Sequence, residues 1–265
     1  MDIREKLKNS KRVVVKVGTS TITYPESGRL NLKRIEKMAW VLSDLVNEGK
    51  EVVLVSSGAI GVGSIRLNFI ERPKETRKKQ AAASVGQAVL MQIYQNFFNQ
   101  YNHSIAQILM TKDDVNIEKR RFNIENTFET LFEMGVIPIV NANDTISTEE
   151  IEFSDNDRLS AIVAEITKAD LLIILTDIDA LYDSDPRVNP NAKRVAVVES
   201  ITDDIMAMAG TNGSKYSVGG MITKLEAGKI CVDNNIHMVV ANGKDPKIIG
   251  QIIDGEDIGT FFVGK

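Results

Sequence analysis

The sequence predicts an α/β protein built on a largely parallel sheet with helices on both faces. Three observations carry that prediction. Short runs rich in Val, Ile and Leu alternate with segments of helical periodicity, from "RVVVKVG" at Arg12–Gly18 to "IGTFFVG" near the end of the 265-residue chain. Strands that alternate with helices in this way make βαβ units. The strand runs are almost continuously apolar, as required when both faces of a sheet are covered. The chain then turns polar where those runs end, in "KVGTS", "VSSGAIG", "VNAND", "LTDIDALY" and "VANG". Ligands of open parallel sheets sit outside the carboxyl ends of the strands, so function is expected at these ends.

Taken in order, "RVVVKVG" is the first strand. "LKRIEKMAWVLSDLVNEGK" places Leu32, Ile35, Met38, Ala39, Leu42, Leu45 and Val46 at helical spacing and stops at Gly49. Trp40 on that helix is expected to pack rather than to serve as a ligand platform. "EVVLVSSGAIGVG" reads as strand, tight Gly-rich turn and helix start. The mixed charges of "ERPKETRKKQ", Glu71–Gln80, suit a solvated loop and a helix start. A long helix follows in "KKQAAASVGQAVLMQIYQNFFNQY", then the strand "SIAQILM", the helix "FNIENTFETLFEMG" ending at Gly135, and the strand "VIPIV". "DRLSAIVAEITKA" is a helix and "DLLIILTDIDALY" a strand with a loop. "MITKLEAGKICVDNN" is a helix, followed by the strands "IHMVVANG" and "IGTFFVG". No repeat, low-complexity tract or linker interrupts this order. Two lobes sharing one sheet, about 1–168 and about 169–265, are expected to meet near Lys168–Asp170.

Composition excludes several classes. Lys plus Arg is 32 and Asp plus Glu is 36, a formal charge of 32 − 36 = −4, without the basic footprint of a nucleic-acid binder. No stretch reaches the roughly 18 apolar residues of a membrane span, and "MDIREKLKNSKR" has no apolar core of a signal peptide. A cytoplasmic protein is expected. Cys231 is the single cysteine, so no intramolecular disulfide forms, and inert helix packing is expected of it. His103 and His237 stand in no metal-ligand spacing and are expected to be structural.

Lys16 interrupts a Val run two residues before Gly18. Lysine is seldom buried without a partner. Either this is an edge strand with Lys16 in water, or Lys16 is functional in a central strand; the apolar flanks favour function. "SSGAIGVG" offers backbone N–H groups to an anion, but it reads G-x-x-G-x-G and lacks the dinucleotide order G-x-G-x-x-G. "GTNGSK" fails the P-loop spacing. In "GTNGSKYSVGGMITKLEAGK", Gly219 and Gly220 precede a helix carrying Lys224 in its first turns, a plausible phosphate cradle. "TDIDALYDSDPR" has the polar groups to hold a base and ribose. "VNANDTISTEEIEFSDNDRLSA", Val140–Ala161, sets six carboxylates (Asp144, Glu149, Glu150, Glu152, Asp155 and Asp157) against one cation, Arg158, without the spacing of a salt-bridged helix face.

In this order "VVVKVGTS", "VSSGAIGVG", "VNANDTI", "SDNDRLSA", "LTDIDALYDSDPR" and "GGMITKLEAG" resemble the amino acid kinase family, from Val13 to about Phe262. Together "SSGAI", "GGM-x-TK" and "NDRLSA" resemble its members that phosphorylate the side-chain carboxylate of L-glutamate with ATP, at the start of proline synthesis. The resemblance implies a three-layer αβα sandwich, with the amino acid on the N-terminal lobe and ATP on the C-terminal one. It implies that Lys16 and Lys224 contact the transferring phosphoryl group, with Asp157 between them holding both. Ser57, Gly58, Asp144 and Asn156 would bind glutamate. Thr176, Asp177, Gly219, Gly220, Met221, Ile222, Thr223 and Lys224 would hold the nucleotide, with Lys16. Asp155 is a candidate to place Mg²⁺, and Glu149, Glu150 and Glu152 read as a solvated loop able to close over the substrate. Ala142 and Ala180 stand where some relatives have Glu and Gly, and the C-terminal PUA module of many members is not expected. Feedback inhibition by proline and a homo-oligomer, dimer or tetramer, are further implications, with Ile65–Lys79 as the candidate regulatory or interface loop. Three alternatives stay open: a kinase of another small carboxylate or carbamate, a non-catalytic amino-acid or nucleotide sensor, and an oxidoreductase, whose fingerprint is missing.

Overall fold

The computed structural model of the chain describes residues 3–146, 156–184, 189–203, 205–206 and 220–264. A 3₁₀ turn, Ile3–Asn9, leads into β1 (Arg12–Val17), α1 (Thr19–Ile22), α2 (Leu32–Asn47), β2 (Glu51–Ser56), α3 (Ala59–Arg66) and α4 (Thr76–Asn99). Next come β3 (Ile105–Met110), α5 (Lys112–Asn116), α6 (Glu118–Glu133), β4 (Ile137–Ala142), α7 (Asn156–Ile166) and β5 (Leu171–Thr176). The strands β6 (Leu181–Tyr182), β7 (Arg194–Val195) and β8 (Val197–Val198) precede α8 (Met221–Asp233), β9 (His237–Asn242), α9 (Ile248–Ile253) and β10 (Thr260–Phe262).

Eight of these strands form one sheet in the order β3-β4-β2-β1-β5-β9-β10-β8. All its pairings are parallel except β9 with β10. Helices cover both faces, so the expected three-layer αβα sandwich is the observed fold. β1 lies in the middle, paired to β2 on one side and β5 on the other. The chain moves outward from β1 in opposite directions along the two sides, so a crevice opens at the carboxyl end of β1. The edge-strand alternative for Lys16 is thereby removed.

Side chains alternate across a strand. Val13, Val15 and Val17 face a core shared with α2, α4 and α9. Val14 faces the opposite core, with Val53, Val55, Leu172 and Ile174 and residues of α6, α7 and α8. Lys16 is in register with Val14 and so points toward α7 and α8. At the other end of β1, the Asp170 carboxylate accepts the Lys11 and Arg12 N–H groups at 2.8 and 2.9 Å. The Arg12 guanidinium bridges Glu51 and Glu129 and lies 4.3 Å from the Phe132 ring centroid. These contacts hold the strand ends remote from the crevice.

α3 and α4 cross with their backbones in contact. A Cβ on Gly63 would lie 1.8 Å from the Ala82 carbonyl oxygen, and one on Gly86 would lie 1.8 Å from that of Ala59. Only glycine permits this approach.

Some expectations need correction. Trp40 is not in the core: it is 41% exposed, with the Lys247 ammonium 5.7 Å from its ring centroid. The helix expected from "FNIENT" begins earlier, at Glu118. The 3₁₀ turn and the helices α1, α5 and α9 were not legible. His237 is structural as expected: its Nδ1 accepts the Gly264 N–H at 3.0 Å, and its ring meets Phe261 edge-on. Cys231 is buried, and burial, with Glu165 nearby, pushes its thiol up to about 12. It is therefore not a nucleophile.

Candidate active site

The crevice is organised by the first turn of α7. This helix begins at Asn156 and Asp157, so an acid stands where the helix N-terminus favours negative charge. Asp157 is 1% exposed. Its Oδ1 lies 2.5 Å from Lys16 Nζ, and its Oδ2 lies 3.1 Å from Lys224 Nζ. Lys16 and Lys224 are themselves 7% and 4% exposed. One lysine comes from the central strand, the other from the first turn of α8, which packs against α7. Burial alone would raise the Asp157 carboxyl; the ammonium groups of Lys16 and Lys224 outweigh it and hold it at about 2. The carboxylate is therefore ionised at any physiological pH. Thr223 supports it from α8: its hydroxyl is 3.1 Å from Asp157 Oδ2 and 2.7 Å from the Gly220 carbonyl.

Asn156 faces the other way. Its Nδ2 lies 2.8 Å from Ser57 Oγ, 3.1 Å from the Ser56 carbonyl and 3.0 Å from Asn141 Oδ1. It thereby ties α7 to the ends of both β2 and β4. The turn after Ser57 needs Gly58, whose φ is +101° and which starts α3. Asp144 is half-buried in the turn after β4. Thr176 and Asp177 close β5, where the Thr176 hydroxyl donates to Asp177 Oδ1 at 3.0 Å. The Asp177 carbonyl accepts the Asn242 amide at 3.2 Å from the end of β9. Gly220, Met221, Ile222 and Thr223 lead into Lys224 at the start of α8.

The arrangement thus joins Lys16, Asp157, Lys224 and Thr223 in one cluster and Asn156 with Ser57 in a second, adjacent one. Asp144 and the Thr176–Asp177 pair lie at neighbouring strand ends. Gly219, Asp155, Glu149, Glu150 and Glu152 fall outside the described residues. Sequence reasoning missed Asn141, Gln87, Ser56 and Tyr94. Asn141 Nδ2 donates to Gln87 Oε1 at 2.9 Å, and Ser56 Oγ lies 2.8 Å from Tyr94 OH. A signal for Gln87 existed, since a polar residue occupies the buried stripe of α4 between Ala83, Leu90 and Tyr94.

Two buried ammonium groups held by one carboxylate suit an anionic ligand, and the dry surroundings strengthen such contacts. Among the described residues no group of three or more His, Cys, Asp or Glu is placed to hold a metal ion. Asp157 already serves two lysines. Mg²⁺ fits this donor set as an ion carried largely on ligand phosphates, the way it commonly binds.

A model of the amino acid kinase family matches residues 11–242. A glutamate 5-kinase of Clostridium perfringens is 55% identical over 99% of this chain and 99% of its own length. One from Listeria monocytogenes is 52% identical over 99% and 96%, and one from Thermoanaerobacter is 49% identical over 95% and 68%. Among solved structures, UMP kinase from Bacillus anthracis superposes with a TM-score of 0.64 over 97% of both chains at 18% identity. That likeness bears on the fold alone.

Proposed function

The chain belongs to the amino acid kinase family, and from that premise we infer that it transfers the γ-phosphoryl group of ATP to the side-chain carboxylate of L-glutamate. The product is γ-glutamyl phosphate, and the reaction is the first step of proline biosynthesis. The near full-length likeness to glutamate 5-kinases supports the substrate. One observation supports the chemistry: two buried lysines share Asp157 at the crevice of the sheet.

The attacking carboxylate has an ordinary pKa of about 4.3 and is ionised at neutral pH, so no general base is needed. The obstacle is charge, because an anion must approach a polyanion. Positioning and electrostatic stabilisation dominate phosphoryl transfer. Lys16 and Lys224 contact the transferring phosphoryl group, and Asp157 keeps both ammonium groups in place. Among these three groups the formal charge is 2 − 1 = +1, of the sign the transition state requires. Mg²⁺ bound with ATP shields the remaining phosphate charge. Ser57, Gly58, Asn156 and Asp144 hold glutamate, with Asp144 facing its ammonium group. Thr176, Asp177 and Gly219–Lys224 hold the nucleotide, and Asp155 is the candidate to place Mg²⁺. The lobe of about 1–168 takes the amino acid, and that of about 169–265 takes ATP.

Proline feedback, assembly into dimers or tetramers and a cytoplasmic location complete the reading. Among the described residues no helix is long and apolar enough to cross a membrane. The test is ATP- and Mg²⁺-dependent acyl phosphate formation, trapped as the hydroxamate, from L-glutamate beside L-aspartate, N-acetyl-L-glutamate and carbamate. Turnover of glutamate alone is expected. Turnover of another acid in its place would keep the fold and overturn the substrate.

A further inference from the structure

Beneath the Ser57 cluster lies a buried relay of amides. The Ala142 backbone N–H donates to Asn141 Oδ1 at 2.9 Å. A backbone N–H can only donate, so the Asn141 oxygen faces Ala142 and its nitrogen faces α4. There Asn141 Nδ2 donates to Oε1 of Gln87, which is 8% exposed. The same Asn141 oxygen receives Asn156 Nδ2 at 3.0 Å, and the Ser56 carbonyl, which can only accept, lies 3.1 Å from that nitrogen, so the two acceptors together fix the direction of the second amide. Asn156 therefore presents its nitrogen to Ser57 Oγ, at 2.8 Å. With that lone pair occupied, the single Ser57 proton stays free to donate to an anion. A reversed Asn156 amide would take the Ser57 proton and turn oxygen lone pairs toward the substrate's carboxylate.

We propose that Gln87 is a positioning residue for glutamate recognition, acting through Asn141 and Asn156 to keep Ser57 a donor toward the substrate. The proposal rests on the assignment of Ser57 to glutamate binding. Gln87 does not touch the reacting atoms. It supplies the acceptor for a buried Asn141 N–H, and loss of such an acceptor is costly. Its own place is secured by the neighbouring Gly86, whose backbone lies against Ala59 and Gly63 of α3. The helix that starts at Gly58, next to Ser57, and the helix that carries Gln87 are thereby held in one register.

The test is a double-mutant cycle of Gln87→Met, which keeps the shape and removes the acceptor, with Ser57→Ala. Glutamate KM, ATP KM and kcat are read for all four proteins. In the otherwise unchanged enzyme, Gln87→Met is expected to raise glutamate KM about tenfold, the scale of one lost buried hydrogen bond. Less than about a twofold change is expected in kcat and ATP KM, because an interaction made equally in ground and transition states moves only KM. On the Ser57→Ala background the same substitution should change glutamate KM by less than about twofold, because paired residues are non-additive. An equal factor in both backgrounds would mean a merely structural role and overturn the proposal. An unchanged glutamate KM in Gln87→Met, or in Ser57→Ala alone, would overturn it too. If Gln87→Met fails to melt cooperatively, Gln87→Asn, one methylene short of Asn141, takes its place under the same criteria. Wild-type protein without glutamate turnover would instead remove the functional reading beneath the proposal, a result distinct from a flat response in an active enzyme.

Discussion

Asp157 is the residue on which the site depends, and its substitution separates charge from shape. Asn at this position keeps the volume but leaves two buried ammonium groups without the carboxylate that lies within 3.1 Å of each. Breaking a buried ion pair from one side costs about 3–5 kcal/mol, so Asp157→Asn should lose stability on that scale in urea unfolding at neutral pH. A loss below about 1 kcal/mol, the scale of an exposed pair, would show that the trio is not a coupled, desolvated unit. The same carboxyl sets a pH window. Its folded pKa lies below its unfolded value, so the stability it contributes is complete above about pH 4. That stability is lost as pH falls toward about 2. The gap between wild type and Asp157→Asn should therefore close across that window, and a constant gap would contradict the shift. Lys16 was legible in the sequence because a lysine inside a Val run is anomalous. Asp157 stood out only through the motifs around it. Asn141 and Gln87 were not legible as partners, because they are 54 residues apart and only the fold joins them.

Elements were legible in proportion to the length of their pattern. The six-residue strands β1, β2 and β5 are buried along nearly their whole length, so their apolar runs announce them. α1 has four residues and β8 two, too few to display a period of 3.6 or 2. The glycines of "AIGVG" and "ASVGQ" were visible, but their purpose was not, since the α3–α4 contact is tertiary. That contact yields a prediction. Gly63→Ala forces a methyl group into the Ala82 carbonyl, and backbone cannot yield as a flexible side chain would. The substitution should destabilise by at least about 1–3 kcal/mol, as overpacking does. Because α3 starts beside Ser57, glutamate KM should rise with it. Chemical denaturation and steady-state kinetics would check both; an unchanged midpoint would show that the helices separate freely.

At the scale of the whole molecule, the order of strands does what no single residue can. It brings a lysine from β1, an acid from α7 and a lysine from α8 to one crevice, though they span positions 16 to 224 of the chain. Alternation of strands and helices made the parallel sheet legible, whereas the strand order and the antiparallel β10 were not, since pairing depends on tertiary contacts. Stability of the whole should also respond to pH near neutrality. Burial, aided by Lys6, lowers the His237 pKa below 6.5 against a smaller opposing effect of Asp170. The unfolded chain then binds more protons, so this contribution is present above about pH 6.5 and is lost as pH falls through the folded value. His237→Gln should flatten the melting temperature between about pH 7 and pH 5, and an unchanged slope would exclude His237 as its source. Phosphoryl transfer by the Asp157-held lysines is tested by the kcat of Lys224→Ala with ATP and L-glutamate. A fall of at least about a hundredfold is expected, the scale of one lost transition-state charge contact, in a protein that still folds. A near-normal kcat with only KM raised would place Lys224 in binding and contradict the claim.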